Sequence, residues 1–377
     1  MVGRDNELSA ARYATALVKS GAPAQPIIFT GLRGMGNTAL LRRCVQDARA
    51  NGGIVIYAEA SDTEPLSETL RRGLERAKKD VESLPKRLKA TVDAVIKTIP
   101  RASVALPGDM GTVELSSRQP DDSTSAFIDI LEELNSAVRR HGRFLVFAID
   151  EIQDAPVPDL RHLVRFIHET AGGDTPAYLV GAGLPDSPEH LHRVRTYTER
   201  WRYFRIGLLT RDQTMDAIAI PTRDRQVAIE ARALERLAEE AAGYPFFIQE
   251  YGSAAWLQHN GNAIATADVE SAIPGVRRIL EDEFYDARFR KLTPREAAYT
   301  LAMAALGPGP HSTGEIARRL SSDSARVASI RNQLIKKDVV YAPSAGMLEF
   351  RIPLTERFIE QNRPSLERRA GEKTFRQ

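Results

Sequence analysis

"GLRGMGNTALL", Gly31–Leu41, is the stretch on which the reading of this chain turns. It fits the pattern G-x-x-x-x-G-K-[ST] at every fixed position but one: Gly31, Gly36 and Thr38 are in place, and Asn37 occupies the lysine slot. The residues before it, "PIIFTG" (Pro26–Gly31), read as a buried strand. Those after it, "TALLRRCVQDARANG", read as a helix stopped by Gly52 and Gly53. A glycine loop between a strand and a helix turns its backbone N–H groups toward a β-phosphate, and the helix N-terminus adds a favourable dipole. Gly31, Gly34 and Gly36 permit the tight turn, and Leu32, Arg33, Met35, Asn37 and Ala39 complete the cradle. Thr38 is placed to ligate Mg²⁺.

Working outward, "IVIYAEA" (Ile54–Ala60), "RFLVFAIDE" (Arg143–Glu151), "AYLVGAG" (Ala177–Gly183) and "YFRIGLL" (Tyr203–Leu209) read as further buried strands. Strands alternating with helical patterns predict an α/β fold with a parallel sheet covered on both faces. The third strand ends in Asp150-Glu151, a Walker B arrangement. Asp150 would hold Mg²⁺ through water, and Glu151 would orient and polarise an attacking water. Together the two segments predict a P-loop site for ATP or ADP with Mg²⁺.

The 377 residues are enough for two or three domains. With 52 basic against 50 acidic residues, bulk charge selects no partner class, so local patches must decide. The single cysteine, Cys44, excludes an internal disulfide framework and fits a reducing compartment. "MVGRDNELSA" lacks an apolar signal region, and no apolar run approaches the ~20 residues of a membrane span. The expectation is a cytoplasmic protein without membrane contact.

Residues 61–140 form a detour between the second and third strands. Leu66–Lys97 is helical and net +4, and "ASVALPGDMGTVELSS" suggests a hairpin; the segment is a solvated arm or a DNA- or partner-contacting insertion. After the fifth strand the pattern turns all-helical, as in a small lid, with Thr266 expected to cap its last helix. The C-terminal part reads helix, helix, helix, then two short strands around Ser344-Ala345-Gly346, the order of a winged helix-turn-helix. Thr313 and Ser322 or Ser324 are expected as N-caps. "SDSARVASIRNQLIKK" would be its recognition helix. Val327, Ile330, Leu334 and Ile335 face inward. Arg326, Ser329 and Gln333, at spacings of three, four and seven, share a stripe for base edges, and Lys336 and Lys337 are assigned to phosphates. Thr293–Pro353 is only net +3, which leaves protein contact as the competing use of this domain.

"VGRDNELSA", "GLRGMGNTALL", "FAIDEIQ", "VGAGLP", "TYTER" and "GYPFFIQEYG", followed by "LTPREAAYTLAMAALGPGPHSTGEIARRL", closely resemble bacterial AAA+/STAND-like ATP-binding proteins. These have an origin-recognition-complex-like ATPase core and a C-terminal winged helix, and the resemblance covers nearly the whole chain. It implies Val2, Gly3 and Arg4 as neighbours of the adenine, and Gly243, Tyr244 and Pro245 near adenine and phosphates. It makes Arg200 an arginine finger, with a plain surface charge as the alternative. The sequence departs from the family at three points. Asn37 replaces the lysine. The fourth strand ends in "GAG", without the polar sensor residue of many AAA+ proteins. The chain opens directly at "MVGR", which implies a short adenine pocket or a start further upstream.

A lysine in the loop bonds β- and γ-phosphate oxygens, and charged hydrogen bonds are worth about 1.5–3 kcal/mol. Losing one would weaken ATP binding by roughly 10- to 150-fold and impair hydrolysis more. Asn37 is expected to offer a neutral amide donor instead. Arg33 either swings toward the phosphates or stays a solvent-facing or intersubunit charge. The expected organisation is a P-loop core at 1–210, a lid at 211–275, a linker at 276–291, a winged helix at 292–364 and a flexible tail at 365–377. The expected function is nucleotide-controlled DNA binding with weak or absent hydrolysis. The alternative is a non-hydrolysing switch or signalling scaffold whose winged helix contacts protein, with a homo-oligomer possible in either case.

Overall fold

The computed structural model describes residues 1–81, 90, 93, 128, 131–132, 134–172 and 176–371. The hairpin expected within 102–117 lies outside them. The chain divides into two compact units. The first comprises Met1, Gly3–Gly31 and Gly36–Ile206; the second comprises Val2, Leu32–Met35 and Gly207–Gln377.

The first unit is built on five parallel strands, β1 (Ile27–Gly31), β2 (Gly53–Glu59), β3 (Phe144–Asp150), β4 (Tyr178–Gly183) and β5 (Arg202–Ile206), in the order β2-β3-β4-β1-β5. β1, β3 and β4 are buried at every position, which is why they read as continuous apolar runs rather than alternating ones. Helices α1 (Asp5–Ser20), α2 (Asn37–Ala50), α3 (Leu66–Val81), α4 (Val157–Ala171) and α5 (Ser187–Val194) accompany the sheet. The α3 segment begins the 61–140 detour and is not a free arm. Its Leu66, Leu70, Leu74 and Ala77 are buried in the core with Ile54 and Ile56 of β2, and only its other face is polar. Asp159 of α4 accepts from the Leu66 backbone N–H at 2.8 Å, satisfying the N-terminus of α3.

In the second unit, α6 (Arg211–Asp224), α7 (Ala231–Ala241), α8 (Pro245–Gln258) and α9 (Thr266–Leu280) form a helical cluster. Two short strands, β6 (Ala228–Ile229) and β7 (Ala263–Ile264), pair in parallel beside it. α6 opens with a Thr210–Gln213 capping box. Thr266 is the first residue of α9 rather than its cap: its N–H and hydroxyl both donate to Glu230, at 2.8 and 2.7 Å. The expected linker is helical too. Residues Glu281–Asp286 continue α9 as a π-turn, and Tyr285 and Phe289 are buried against Phe358. A run that supplies buried aromatics cannot behave as a solvated connector.

The C-terminal part follows the order α10 (Pro294–Ala304), β8 (His311–Ser312), α11 (Thr313–Arg319), α12 (Ser324–Lys336), β9 (Val340–Tyr341) and β10 (Met347–Phe350). The three strands are antiparallel in the order β8-β10-β9. The caps fall one residue from those expected: Ser312 caps α11 and Asp323 caps α12, each accepting the N–H three residues on. Two further helices, α13 (Thr355–Gln361) and α14 (Arg363–Ala370), close the chain. α14 replaces part of the expected flexible tail, because Leu366 and Ala370, four residues apart, are both buried.

Candidate nucleotide site

Parallel strands bring their carboxyl ends to one edge, where α/β sheets bind ligands. Here Thr30 lies opposite Gly183, and Glu59 opposite Asp150. The glycine loop, the acidic end of β3 and the glycine end of β4 therefore meet at that edge. Gly34 and Gly36 adopt φ of 78° and 91°, which a side chain would strain. Gly31 is required for a different reason: a Cβ there would stand 2.7 Å from both Asn37 Oδ1 and the Ile206 carbonyl.

Asn37 does not present its amide as the expected phosphate donor. Its Nδ2 donates to the Gly31 carbonyl at 2.8 Å and to the Gly183 carbonyl at 3.1 Å, tying the loop to the ends of β1 and β4. Both amide protons are thereby used on backbone acceptors, while Oδ1 is buried and accepts no hydrogen bond. The short side chain explains the difference: it reaches the strand ends that a lysine would pass by.

Thr38 and Asp150, both assigned to the metal from the sequence, lie side by side. The threonine hydroxyl donates to Asp150 Oδ1 at 3.3 Å. Tyr57 of β2 donates to Asp150 Oδ2 at 2.7 Å, and the Glu151 N–H donates to Oδ1 at 3.1 Å. Burial, then the hydrogen bond to Asp150, push the Tyr57 phenol up to about 12, so it remains a donor. Glu151 takes a left-handed backbone, φ 48°, an unusual cost for a non-glycine residue. Its carboxylate accepts from Gln153 Nε2 at 2.7 Å. Neither Tyr57 nor Gln153 stood out in the sequence, since the pairing of β2 with β3 and the 3-10 turn Ile152–Asp154 bring them in. The hard oxygens of Thr38 and Asp150 suit Mg²⁺ shared with phosphate oxygens. Among the described residues no group of three or more His, Cys, Asp or Glu forms a self-sufficient metal site.

The flanking residues are distributed as follows. Arg4 is largely buried, and burial lowers its guanidinium although Glu7 partly offsets this; Gly3 turns with φ 66°. Val2 is half-buried, Leu32 and Met35 are buried, and Arg33 and Ala39 are exposed. Within the second unit, Tyr244 is fully buried and donates its hydroxyl to the Arg33 carbonyl at 2.8 Å, and a Cβ on Gly34 would overlap that ring. The hydroxyl of Tyr244 is thus engaged with the loop backbone. Gly243 turns with φ 78°, and Pro245 opens α8. Arg200, at the end of the 3-10 turn Thr196–Arg200, is exposed and without a polar contact among the described residues.

On α12 the expected stripe is in the open: Arg326, Ser329, Gln333 and Lys336 are exposed, while Val327 and Leu334 are buried and Ile330 and Ile335 half-buried. Lys337 departs from its expected place on phosphates. Its Nζ is 2.6 Å from buried Glu296 and 3.0 Å from the Lys291 carbonyl, so it neutralises the carboxylate that caps α10. Burial would raise the Glu296 carboxyl, but the Lys337 and Thr293 contacts more than offset this and hold it low.

Residues 1–180 match the family model of the AAA ATPase domain, and residues 282–359 match a domain of unknown function (DUF8462). Among solved structures, a Walker-type ATPase of Pyrococcus abyssi superposes with a TM-score of 0.57 at 14% identity, covering 96% of each chain. The Thermotoga maritima RuvB Holliday junction branch migration motor gives 0.47 at 14% identity, over 95% of each chain. The Aeropyrum pernix Orc1 protein in complex with DNA gives 0.47 at 17% identity, over 100% of this chain and 94% of that one. No curated protein sequence matches the chain. The match over residues 1–180 and the Pyrococcus likeness agree with the five-stranded parallel sheet: the fold of this part is α/β and similar to that of P-loop ATPases.

Proposed function

We propose that this chain, similar over residues 1–180 to the AAA ATPase domain, is a STAND-like cytoplasmic protein that binds Mg-nucleotide and hydrolyses it weakly or not at all. The observation that carries the reading is the contrast within one loop. Thr38 faces Asp150 at 3.3 Å beneath an intact glycine turn, while the Asn37 amide is committed to the Gly31 and Gly183 carbonyls. Backbone N–H groups and the start of α2 would receive the phosphates, and Thr38 and Asp150 would hold Mg²⁺. The ion would supply charge neutralisation on the phosphate oxygens. Glu151 would orient water, Arg200 would be offered to a neighbouring copy, and no side chain in the lysine position would offset the charge that moves during transfer.

Titration with a fluorescent ATP analogue in the presence of Mg²⁺ should give saturable binding, and a phosphate-release assay should give turnover at or near background. Robust turnover abolished by Glu151→Gln would refute the inactive part. Absence of binding at millimolar ATP would refute the nucleotide reading as a whole.

The C-terminal part is read as a winged helix that binds double-stranded DNA through the exposed stripe of α12. Lys336→Ala should then weaken all DNA sequences alike and lower the salt slope by about one. Arg326→Ala or Gln333→Ala should change the preference between sequences. Lys337→Ala should lower the melting temperature, since it leaves Glu296 uncompensated. A second reading, protein contact by the same domain, is favoured by the internal use of Lys337 and by a Ser344-Ala345-Gly346 turn without cations. Full-length protein that binds no DNA at low salt would sink the groove assignment in favour of that reading.

A further inference from the structure

The fourth strand ends in glycine, yet the space at its tip is filled. A Cβ built on Gly183 would overlap Gln153 Oε1 and Ser187 Oγ. The Gln153 side chain, rising from the turn after β3, occupies the position that a side chain at the end of β4 would take. Its amide is bonded at both ends. Oε1 accepts the Leu184 N–H at 3.0 Å, and Nε2 donates to Glu151 Oε2 at 2.7 Å. Ser187 Oγ lies 3.3 Å from the same Oε1 but gives its proton to the Leu184 carbonyl at 2.6 Å, so the backbone N–H is the main anchor.

We infer that Gln153 is a positioning residue that stands in for a polar residue at the end of β4, fixing the Glu151 carboxylate relative to the strand edge. This rests on the reading of the site as a nucleotide site. The chemistry favours a glutamine. An amide can accept from a backbone N–H with one end and donate to a carboxylate with the other, which neither Glu nor Leu can do. Without that donor, the Glu151 carboxylate, on its left-handed backbone, loses a neutral group that orients it. The same β4 tip also receives Asn37, through the Gly183 carbonyl, so residue 37 and Glu151 are held by adjacent residues of one strand end. The γ-phosphate side of the site should feel the change, and the β-phosphate side should not.

The test uses the full chain and two substitutions, Gln153→Ala and Gly183→Asn, singly and together. Gly183→Asn alone should lower the melting temperature, because its Cβ meets both Gln153 and Ser187; adding Gln153→Ala should recover the part of that loss due to Gln153, with the Ser187 overlap remaining. This arm needs no nucleotide, and additive losses would overturn the geometric assignment. The second arm compares affinities for a fluorescent ATP analogue and its ADP counterpart. Gln153→Ala should change the ATP:ADP ratio by about 10-fold with ADP affinity unchanged, in the range seen when groups that orient a first-contact residue are removed. The Gln153→Ala/Gly183→Asn pair should restore part of the ratio. In an Asn37→Lys background with turnover, kcat should fall by about 10- to 100-fold with KM little changed. Wild type that binds neither nucleotide sinks the nucleotide reading. Wild type that binds, with a ratio that Gln153→Ala leaves unchanged, sinks this inference alone.

Discussion

Asn37→Lys is expected to strengthen ATP binding by about one to two decades, the worth of one charged hydrogen bond of about 1.5–3 kcal/mol at ~1.4 kcal/mol per decade. The same substitution should make the nucleotide-free protein less stable. It removes the two bonds from Asn37 to the Gly31 and Gly183 carbonyls, each a neutral bond worth about 0.5–1.5 kcal/mol, although the unsatisfied Oδ1 is removed with them. The opposite signs are the signature: a lower melting temperature without ligand, and a larger upward shift on adding Mg-ATP. Asn37→Ala should show the loss without the gain. Turnover should rise in the lysine variant only if Glu151 and Arg200 are both productively placed. Calorimetric titration alongside thermal melts reads all of this. Unchanged ATP affinity would mean that another cation already serves the phosphates, and Arg33→Ala in the same background would identify it.

Glu240→Ala should destabilise the second unit by about 2–3 kcal/mol. Its side chain is 1% exposed and meets Arg236 of its own helix at 2.8 Å, Arg277 of α9 at 2.6 Å and Arg357 of α13 at 3.4 Å. Breaking a fully buried pair costs about 3–5 kcal/mol; the arginines here are partly exposed, so solvent reduces the figure. At roughly 2–4 °C per kcal/mol, the melting temperature should fall by about 4–12 °C. Burial would raise the Glu240 carboxyl, but the Arg277 hydrogen bonds and the charges of Arg277, Arg357 and Arg236 outweigh it and leave it lowered. A lowered folded value means that this stability is present above the ordinary carboxylate range, about 4.3, and is lost as pH falls through the lowered value. Glu240→Gln should therefore melt well below wild type at pH 7, and the gap should close as the pH is taken below about 4. A gap that stays constant with pH would mean that packing, rather than charge, holds these helices together.

The local chemistry was legible wherever a short segment carried its own signal. Continuous apolar runs at β1, β3 and β4 announce strands buried on both faces, and the strand–glycine–helix order announces a tight glycine turn between β1 and α2. Thr38 and Asp150 were recognisable because each sits at a fixed place in its own motif. On α12 the burial of Val327 and Leu334 and the exposure of Arg326, Ser329 and Gln333 agree with helical spacing, whereas Ile330 and Ile335 are only half-buried. Caps slipped by a residue, as with Ser312 and Asp323, because neighbouring polar residues compete for the same N–H.

The sequence by itself therefore determined the class of fold, the loop and its acidic counterpart, and the fact that a lysine is missing. Tertiary structure decided where the replacement points, because the acceptors for Asn37 belong to two different strands, one of them 146 residues away. It decided that Lys337 serves Glu296, 41 residues earlier, and that Gln153 fills the gap left by Gly183. It also turned the expected linker and part of the tail into helix, since Tyr285, Phe289 and Leu366 find buried surroundings that no local pattern specifies. The physical reason is common to all of these. Hydrogen-bond directions and burial depend on groups that meet only once the sheet and helices have packed, whereas periodicity and turn chemistry are properties of adjacent residues.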